Sequence, residues 1–213
     1  FSTVVQNTLT LTFAGVAIQV VLGTALALFF NQQLRGATIV RGIIEEKNPD
    51  LSGPQRDAVA AAVGVGAIAF WIQSRRRNSN IVFDWKLATS PDGDTGPYVQ
   101  YTHARACSIL RKGEGHGRGA DLSLLKEPEE AAVAKALDRF PQVLRDAAKD
   151  YEPSVIASWL IETARTFNDF YNRHQVLKSE PALRAARLAL VDATRLLLAE
   201  GLRVLGLKAP EEM

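Results

Sequence analysis

The side chains best suited to chemistry lie in three short stretches. YVQYTHARACSILRK, residues 98–112, spaces Arg105, Arg111 and Lys112 along or just beyond one predicted helix, where they are able to meet phosphate groups; a solvated helix face is the plain alternative. Arg75, Arg76 and Arg77, followed by Asn78, form a denser basic run whose local field would attract an anion. FNDFYN, residues 167–172, adds Tyr171. By residue type alone, Tyr101 and Tyr171 read as packing between helices and Met213 as a frayed end. Asp192 and Arg195 stand three apart, the spacing of an ion pair within one helix. His103, His116 and His174 are scattered, no Cys-x-x-Cys or His-x-x-x-His pair occurs, and no zinc site is expected. His103 is assigned no proton transfer. Cys107 is the single cysteine, which excludes an intramolecular disulfide and suits a reducing compartment.

These residues need elements to hold them, and the pattern from residue 39 onward is mainly helical. Pro54 starts a helix through QRDAVAAAVGVGAIAFWIQS, with Val59, Ala62 or Val63, and Ile68 toward a core. IVFDW, residues 81–85, is β-branched and aromatic and predicts one short strand, with Asp84 and Trp85 as scaffold. SPDGDTGP is a turn cluster, YVQYTHARACSILRK a helix, and KGEGHGRGAD, residues 112–121, a flexible loop. Four helical stretches follow. EPEEAAVAKALDRF opens on Pro128 with acids in its first turn, and PQVLRDAAKD is short. The third stretch spaces Ile156, Leu160, Thr163, Phe167 and Phe170 along one face. The last spaces Leu183, Ala186, Leu190, Ala193 and Leu197, with Gly206 as its stop. The period describes an α-helical bundle.

Charge divides the chain abruptly. No charged residue precedes Arg35, and all 25 basic and 23 acidic residues follow from there. Leu9 to Phe30 is free of charge and would span about 33 Å as a helix, enough for a bilayer core. A secretory signal would need a basic start, which is missing. Gly15, Gln19, Gly23 and Ala27 recur every four residues, a small and polar face suited to packing against other membrane helices. Arg35 and Arg41 flank only the later end, which the positive-inside rule assigns to the cytoplasm.

Two resemblances sharpen this picture. IIEEKNPDLS, AVGVGAI, RRRNSNIVFDW, GDTGPYVQYTHARACSILRK, DLSLLKEPEE, RFPQVLRDAAKDYEPS, FNDFYN and LRAARLALVDATRLLLAEGLRVLGLKAPEEM resemble, in order and spacing, the C-terminal part of arginyl-tRNA synthetases. Asp192-Ala193-Thr194-Arg195 stands at the Asp-Ala-Leu-Arg motif of that family's anticodon-binding domain, with Thr194 in place of Leu. NTLTLTFAGVAIQVVLGTALALFFNQQLRG, in contrast, resembles an early transmembrane helix of sugar ABC transporter permeases. The expected organisation is a transmembrane-like helix over 1–38, a remnant of the catalytic-domain end and connecting segment over 39–95, and an anticodon-binding helical bundle over 96–213.

The synthetase resemblance implies a tRNA-binding portion of an arginine–tRNA ligase, facing the anticodon loop of tRNA(Arg). Loop recognition stacks splayed bases on aromatic rings and meets phosphates with positive charge. The family's tyrosine in the QY-A/T-H-A/S-R helix, its tyrosine in the FYN segment and its terminal methionine carry onto Tyr101, Tyr171 and Met213, with Arg105, Arg75, Arg76 and Arg77 as phosphate contacts. The full-length family uses ATP and Mg, but neither its His-Ile-Gly-His-like nor its Lys-Met-Ser-Lys-like signature occurs in this chain. No cofactor, no metal and no adenylation by this chain alone are therefore expected. Residues 39–213 are expected in the cytoplasm, with membrane anchoring through residues 1–38. A permease fragment, or a chimeric or truncated product without a selected function, are the other two readings.

Overall fold

A computed structural model describes residues 52–113 and 119–213, all within the unit Gly36–Met213. The expected membrane-like helix over 1–38 lies outside the described residues, as do residues 114–118 of the glycine-rich loop. Regular structure among the described residues is entirely helical: α1 (Gly53–Gln73), α2 (Trp85–Ala88), α3 (Gly96–Gly113), α4 (Pro128–Asp138), α5 (Phe140–Asp150), α6 (Ser154–Arg173) and α7 (Pro181–Val204). Single 3-10 turns at Leu122–Leu124 and Val176–Lys178 connect them. The mainly α bundle expected from the periodicity is thus found, with one correction. IVFDW forms no strand: residues 81–84 are irregular, and Trp85 already belongs to α2. A strand needs a neighbour to satisfy its ladder, and none exists among the described residues. Asp84 instead caps α2, its Oδ1 accepting from the backbone N–H of Lys86 at 2.8 Å and of Leu87 at 3.1 Å. The aromatic residues of the segment fold back on α1, with Phe83 edge-on to Trp71 at 6.2 Å and to Trp85 at 4.9 Å.

Local signals set the helix ends. Ser52 precedes α1, and its backbone N–H donates to Gln55 Oε1 at 3.3 Å, with Pro54 in the first turn. Pro128 opens α4, and Glu130 reaches back to accept from the Glu127 N–H at 3.0 Å. α7 stops at Gly206, whose φ of 74° is left-handed; the Leu207 N–H then donates to the Leu202 carbonyl at 2.9 Å.

α6 runs through the middle. Its Ile156, Leu160, Thr163, Phe167 and Phe170 are all buried, as the spacing predicts. Trp159 packs against Phe140 at 4.6 Å and donates its indole N–H to the Ala136 carbonyl at 2.8 Å, tying α6 to α4 and α5. One apolar cluster joins Phe70, Val99, Leu160, Leu198 and Leu202; a second joins Ile109, Val133, Phe170, Leu188 and Val191. On α7 the deepest residues are Ala186, Val191, Leu198 and Leu202, so the buried stripe is turned from the one expected: Leu183, Ala193 and Leu197 are only half-buried. On α1 the anchors are Val63, Ala67 and Phe70. Among the described residues α1 is long and apolar enough to cross a membrane, but its buried face packs against α3 and α6.

Two contacts within the core have exacting geometry. Arg187 of α7 donates from Nε to Glu130 Oε1 at 2.7 Å and from Nη1 to Ser179 Oγ at 2.8 Å, and the Glu130 side chain is fully buried. Gly66 of α1 lies against the Gln100 amide, where an added Cβ would stand 2.9 Å from Nε2.

Arg187→Met strands the buried Glu130 carboxylate, and urea denaturation is expected to register a loss of about 3–5 kcal/mol; adding Glu130→Gln should restore a good part of it. Gly66→Ala overpacks the α1–α3 contact and should cost about 1–3 kcal/mol in the same measurement.

Candidate nucleic-acid interface

α3 is buried along one side by Thr102, His103, Ala106, Ile109 and Leu110 and open along the other. Tyr101, Arg105 and Lys112 lie toward the open side, where they line a groove of about 830 Å³ together with Tyr171 of α6, Gln55 of α1, and Glu211 to Met213. Six of the residues singled out in the sequence, Tyr101, Arg105, Arg111, Lys112, Tyr171 and Met213, therefore line one groove. They come from α3, α6 and the segment after α7.

Arg105 is the centre of this surface. Its guanidinium lies 4.9 Å from the Tyr101 ring centroid and 5.5 Å from that of Tyr171, two cation–π contacts. Its Nη1 donates to Asn168 Oδ1 at 2.7 Å. Asn168 Nδ2 in turn donates to Tyr98 Oη and Thr102 Oγ1, both at 3.0 Å. The Arg105 fork and the two tyrosine rings are thus pre-positioned, with Tyr171 37 % exposed. Rings beside a planar guanidinium offer π faces to a flat ligand, and the guanidinium's remaining N–H groups suit phosphate. The sequence pointed to FNDFYN through Tyr171 and missed Asn168, which holds the arrangement. Its place one turn before Tyr171, on the same helix face, was the available signal.

The groove carries mixed charge. Arg111 Nη2 pairs with Glu212 at 3.4 Å, and its Nη1 donates to the Glu211 carbonyl at 3.3 Å. Met213 packs on the α1 cluster of Val59, Ala60 and Val63. Behind the groove, His103 Nδ1 is 2.9 Å from the Pro210 carbonyl, which only accepts, so Nδ1 carries the proton. Burial above all lowers the His103 pKa, helped by Arg195 and opposed by the Pro210 hydrogen bond and Glu211. Burial and then Glu211 raise the Cys107 thiol, 3.8 Å from His103 Nε2. A neutral imidazole beside a neutral thiol is no activated nucleophile, in keeping with a structural His103.

Arg75, Arg76 and Arg77 do not join this groove. Arg75 stacks over Trp71 at 4.4 Å. Arg76 and Arg77 line a separate groove of about 990 Å³ with Arg139 and Lys149, where Asp146, Asp150, Glu152 and Glu162 balance them. Arg139 is itself paired with Glu162 at 2.9 Å. The field expected from three adjacent arginines is diluted by acids that only folding brings near. Asp192 and Arg195 form the ion pair their spacing predicts, at 2.7 Å. Among the described residues Glu127, Glu129 and His174 place potential metal-binding atoms within 4.8 Å of one another. Glu129 is already engaged by His174 at 3.1 Å and Arg173 at 2.9 Å, and Arg187 Nη2 approaches His174 Nδ1 at 3.4 Å, so two guanidinium groups oppose a cation there.

A helical bundle with two tyrosine rings and an arginine in one open groove offers π faces and positive charge to a polyanion with flat groups. Comparison with known proteins agrees with that class. Residues 99–213 match the DALR anticodon binding domain model. Arginine–tRNA ligase of Alkaliphilus metalliredigens is 45% identical over 175 residues, covering 80% of this chain and 30% of that protein. The enzyme of Thermococcus kodakarensis is 42% identical over 181 residues, covering 81% and 28%. Among solved structures, Thermus thermophilus arginyl-tRNA synthetase superposes with a TM-score of 0.78 at 40% identity, covering 84% of this chain and 31% of that one. The Plasmodium falciparum enzyme, at 21% identity and TM-score 0.73, shares the fold. The chain belongs to the DALR anticodon binding domain family, homologous to the C-terminal part of arginine–tRNA ligases. It spans about 30% of the length of those relatives. Domains of this family bind tRNA without a cofactor; ATP and Mg belong to the catalytic part of the full-length enzymes.

Because the folded state resists protonating His103, that residue's contribution to stability is complete above about pH 6.5, the unfolded value, and declines as pH falls below it. Urea unfolding between pH 7.5 and 5 should show a steeper acid loss for the wild type than for His103→Asn, which keeps a donor and has no ring to titrate.

Proposed function

We propose that this bundle is the tRNA-binding portion of an arginine–tRNA ligase and that its groove receives the anticodon loop of tRNA(Arg). The observation that supports this reading most directly is the convergence of Tyr101, Arg105, Tyr171 and Met213 on one groove. In it, Tyr101 and Tyr171 stack bases of the loop, Arg105 and Lys112 meet its phosphates, and Met213 borders the loop. Arg75, Arg76 and Arg77 belong to the reading as phosphate contacts outside the groove. Aminoacylation would draw ATP, Mg and arginine to a catalytic part whose two signatures do not occur in this chain, so pyrophosphate exchange by the chain alone should stay at background. Arginyl-tRNA synthetases are cytoplasmic, which suits the bundle.

A second reading concerns residues 1–38, favoured by the charge-free run from Leu9 to Phe30. In it, this segment is a permease-like transmembrane helix, fused as in a chimeric product, that anchors the bundle to a membrane. Carbonate-resistant recovery of the full chain in the membrane pellet is its expected outcome, and full extraction would remove it.

Binding to a tRNA(Arg) transcript is the test of the main reading. Tyr171→Ala should weaken it about tenfold, the loss of one stacked base, with the circular dichroism unchanged. Affinity should also fall steeply with salt, as phosphate contact requires. No affinity for the transcript by the folded wild type would overturn the assignment.

A further inference from the structure

The segment Leu205–Met213 leaves the helical ladder, so its carbonyls lack the backbone donors a helix would supply. Side chains from two helices replace them. Gln73 Nε2 donates to the Leu205 carbonyl at 3.1 Å and Gln100 Nε2 to that of Lys208 at 2.7 Å. His103 Nδ1 donates to the Pro210 carbonyl at 2.9 Å, and Arg111 Nη1 to that of Glu211 at 3.3 Å. Gln100, His103 and Arg111 meet the segment in order, so it runs along α3 in the same direction. The result sets Glu211, Glu212 and Met213 into the groove wall, with Met213 seated on Val59, Ala60 and Val63.

We propose that His103, supported by Gln100, is the positioning residue that holds the Leu205–Met213 strap in place, so that its residues Glu211 to Met213 line the RNA groove. The role in RNA binding rests on the reading given under Proposed function. His103 suits the task because it is buried at 2 % exposure and neutral, with its one N–H committed to the strap. Gln100 is fully buried and donates to the same strap, in space that Gly66 leaves open. These bonds grip carbonyls rather than side chains. They set the path of the strap and leave Glu211 to Met213 facing the groove.

The full chain tests this in three variants. His103→Leu removes the donor, His103→Asn keeps an N–H at the Nδ1 position, and deletion of 211–213 removes the groove-lining end of the strap while Pro210 stays in place. Each is checked for its helical signal and melting. Binding of a fluorescein-labelled anticodon stem-loop of tRNA(Arg) is then titrated, and tryptic cleavage after Lys208 is timed. His103→Leu and the deletion should each weaken binding about tenfold, the size of one lost contact of roughly 1.4 kcal/mol. His103→Leu should also be cut faster after Lys208, while His103→Asn matches the wild type in both measurements. A folded deletion variant that binds as the wild type does overturns the strap as part of the site. Equal losses in His103→Leu and His103→Asn overturn the hydrogen bond as the cause. Failure of the wild type itself to bind removes the RNA reading and with it the strap's role, a result distinct from the other two.

Discussion

The architecture turns on one constraint: α3 must bury one side and leave the other open. Its inward residues pack against α1, α6 and α7, and that packing dictates which of its polar residues remain available. Tyr101, Arg105 and Lys112 line the groove because Thr102, His103, Ala106 and Ile109 occupy the inside. The same inside residues are not all apolar. Gln100 and His103 are buried donors that need acceptors, and the carbonyls of Leu205–Met213 provide them. Thus the demand that buried polar groups be satisfied draws an irregular segment onto α3, and the groove acquires its wall.

The electrostatics of the groove depend on organisation more than on total charge. A net charge of +2 is too small to gather a polyanion from a distance. What the fold offers instead is a guanidinium fixed between two rings and tethered by Asn168, so that little side-chain freedom is lost on binding. The arginine run at 75–77 makes the opposite point. It is the densest basic stretch in the chain, yet Arg75 stacks on Trp71, and the other two share their groove with carboxylates from α5, α6 and the turn between them.

Helices were easier to read than the surfaces they form. The burial of Ile156, Leu160, Phe167 and Phe170 follows from spacing because α6 meets neighbours on one continuous side. The buried stripe on α7 lies a step off the spacing, since that helix is covered by α3, α4 and α6 together and its inner side is wider than a simple period. IVFDW was read as a strand because β-branched and aromatic residues favour a pleated surface; the preference is one of packing and was outweighed when no partner edge was at hand. Tyr101 and Tyr171 would have passed for core aromatics by composition, and it was the resemblance that set them apart.

By itself the amino-acid order determined the helical composition, most helix starts and stops, the family, and the local Asp192–Arg195 pair, because each of these depends on neighbours within a few residues or on motif spacing. Tertiary structure alone decided that Arg105 sits between Tyr101 and Tyr171, that Asn168 tethers it, that Glu130 and Arg187 share a buried contact, and that Leu205–Met213 is held along α3. Apart from the Arg105–Tyr101 stacking within α3, those contacts join residues from 57 to 108 positions apart, and separations of that kind leave no periodic trace in the chain. They exist only once burial has brought distant helices close enough for their polar groups to require one another.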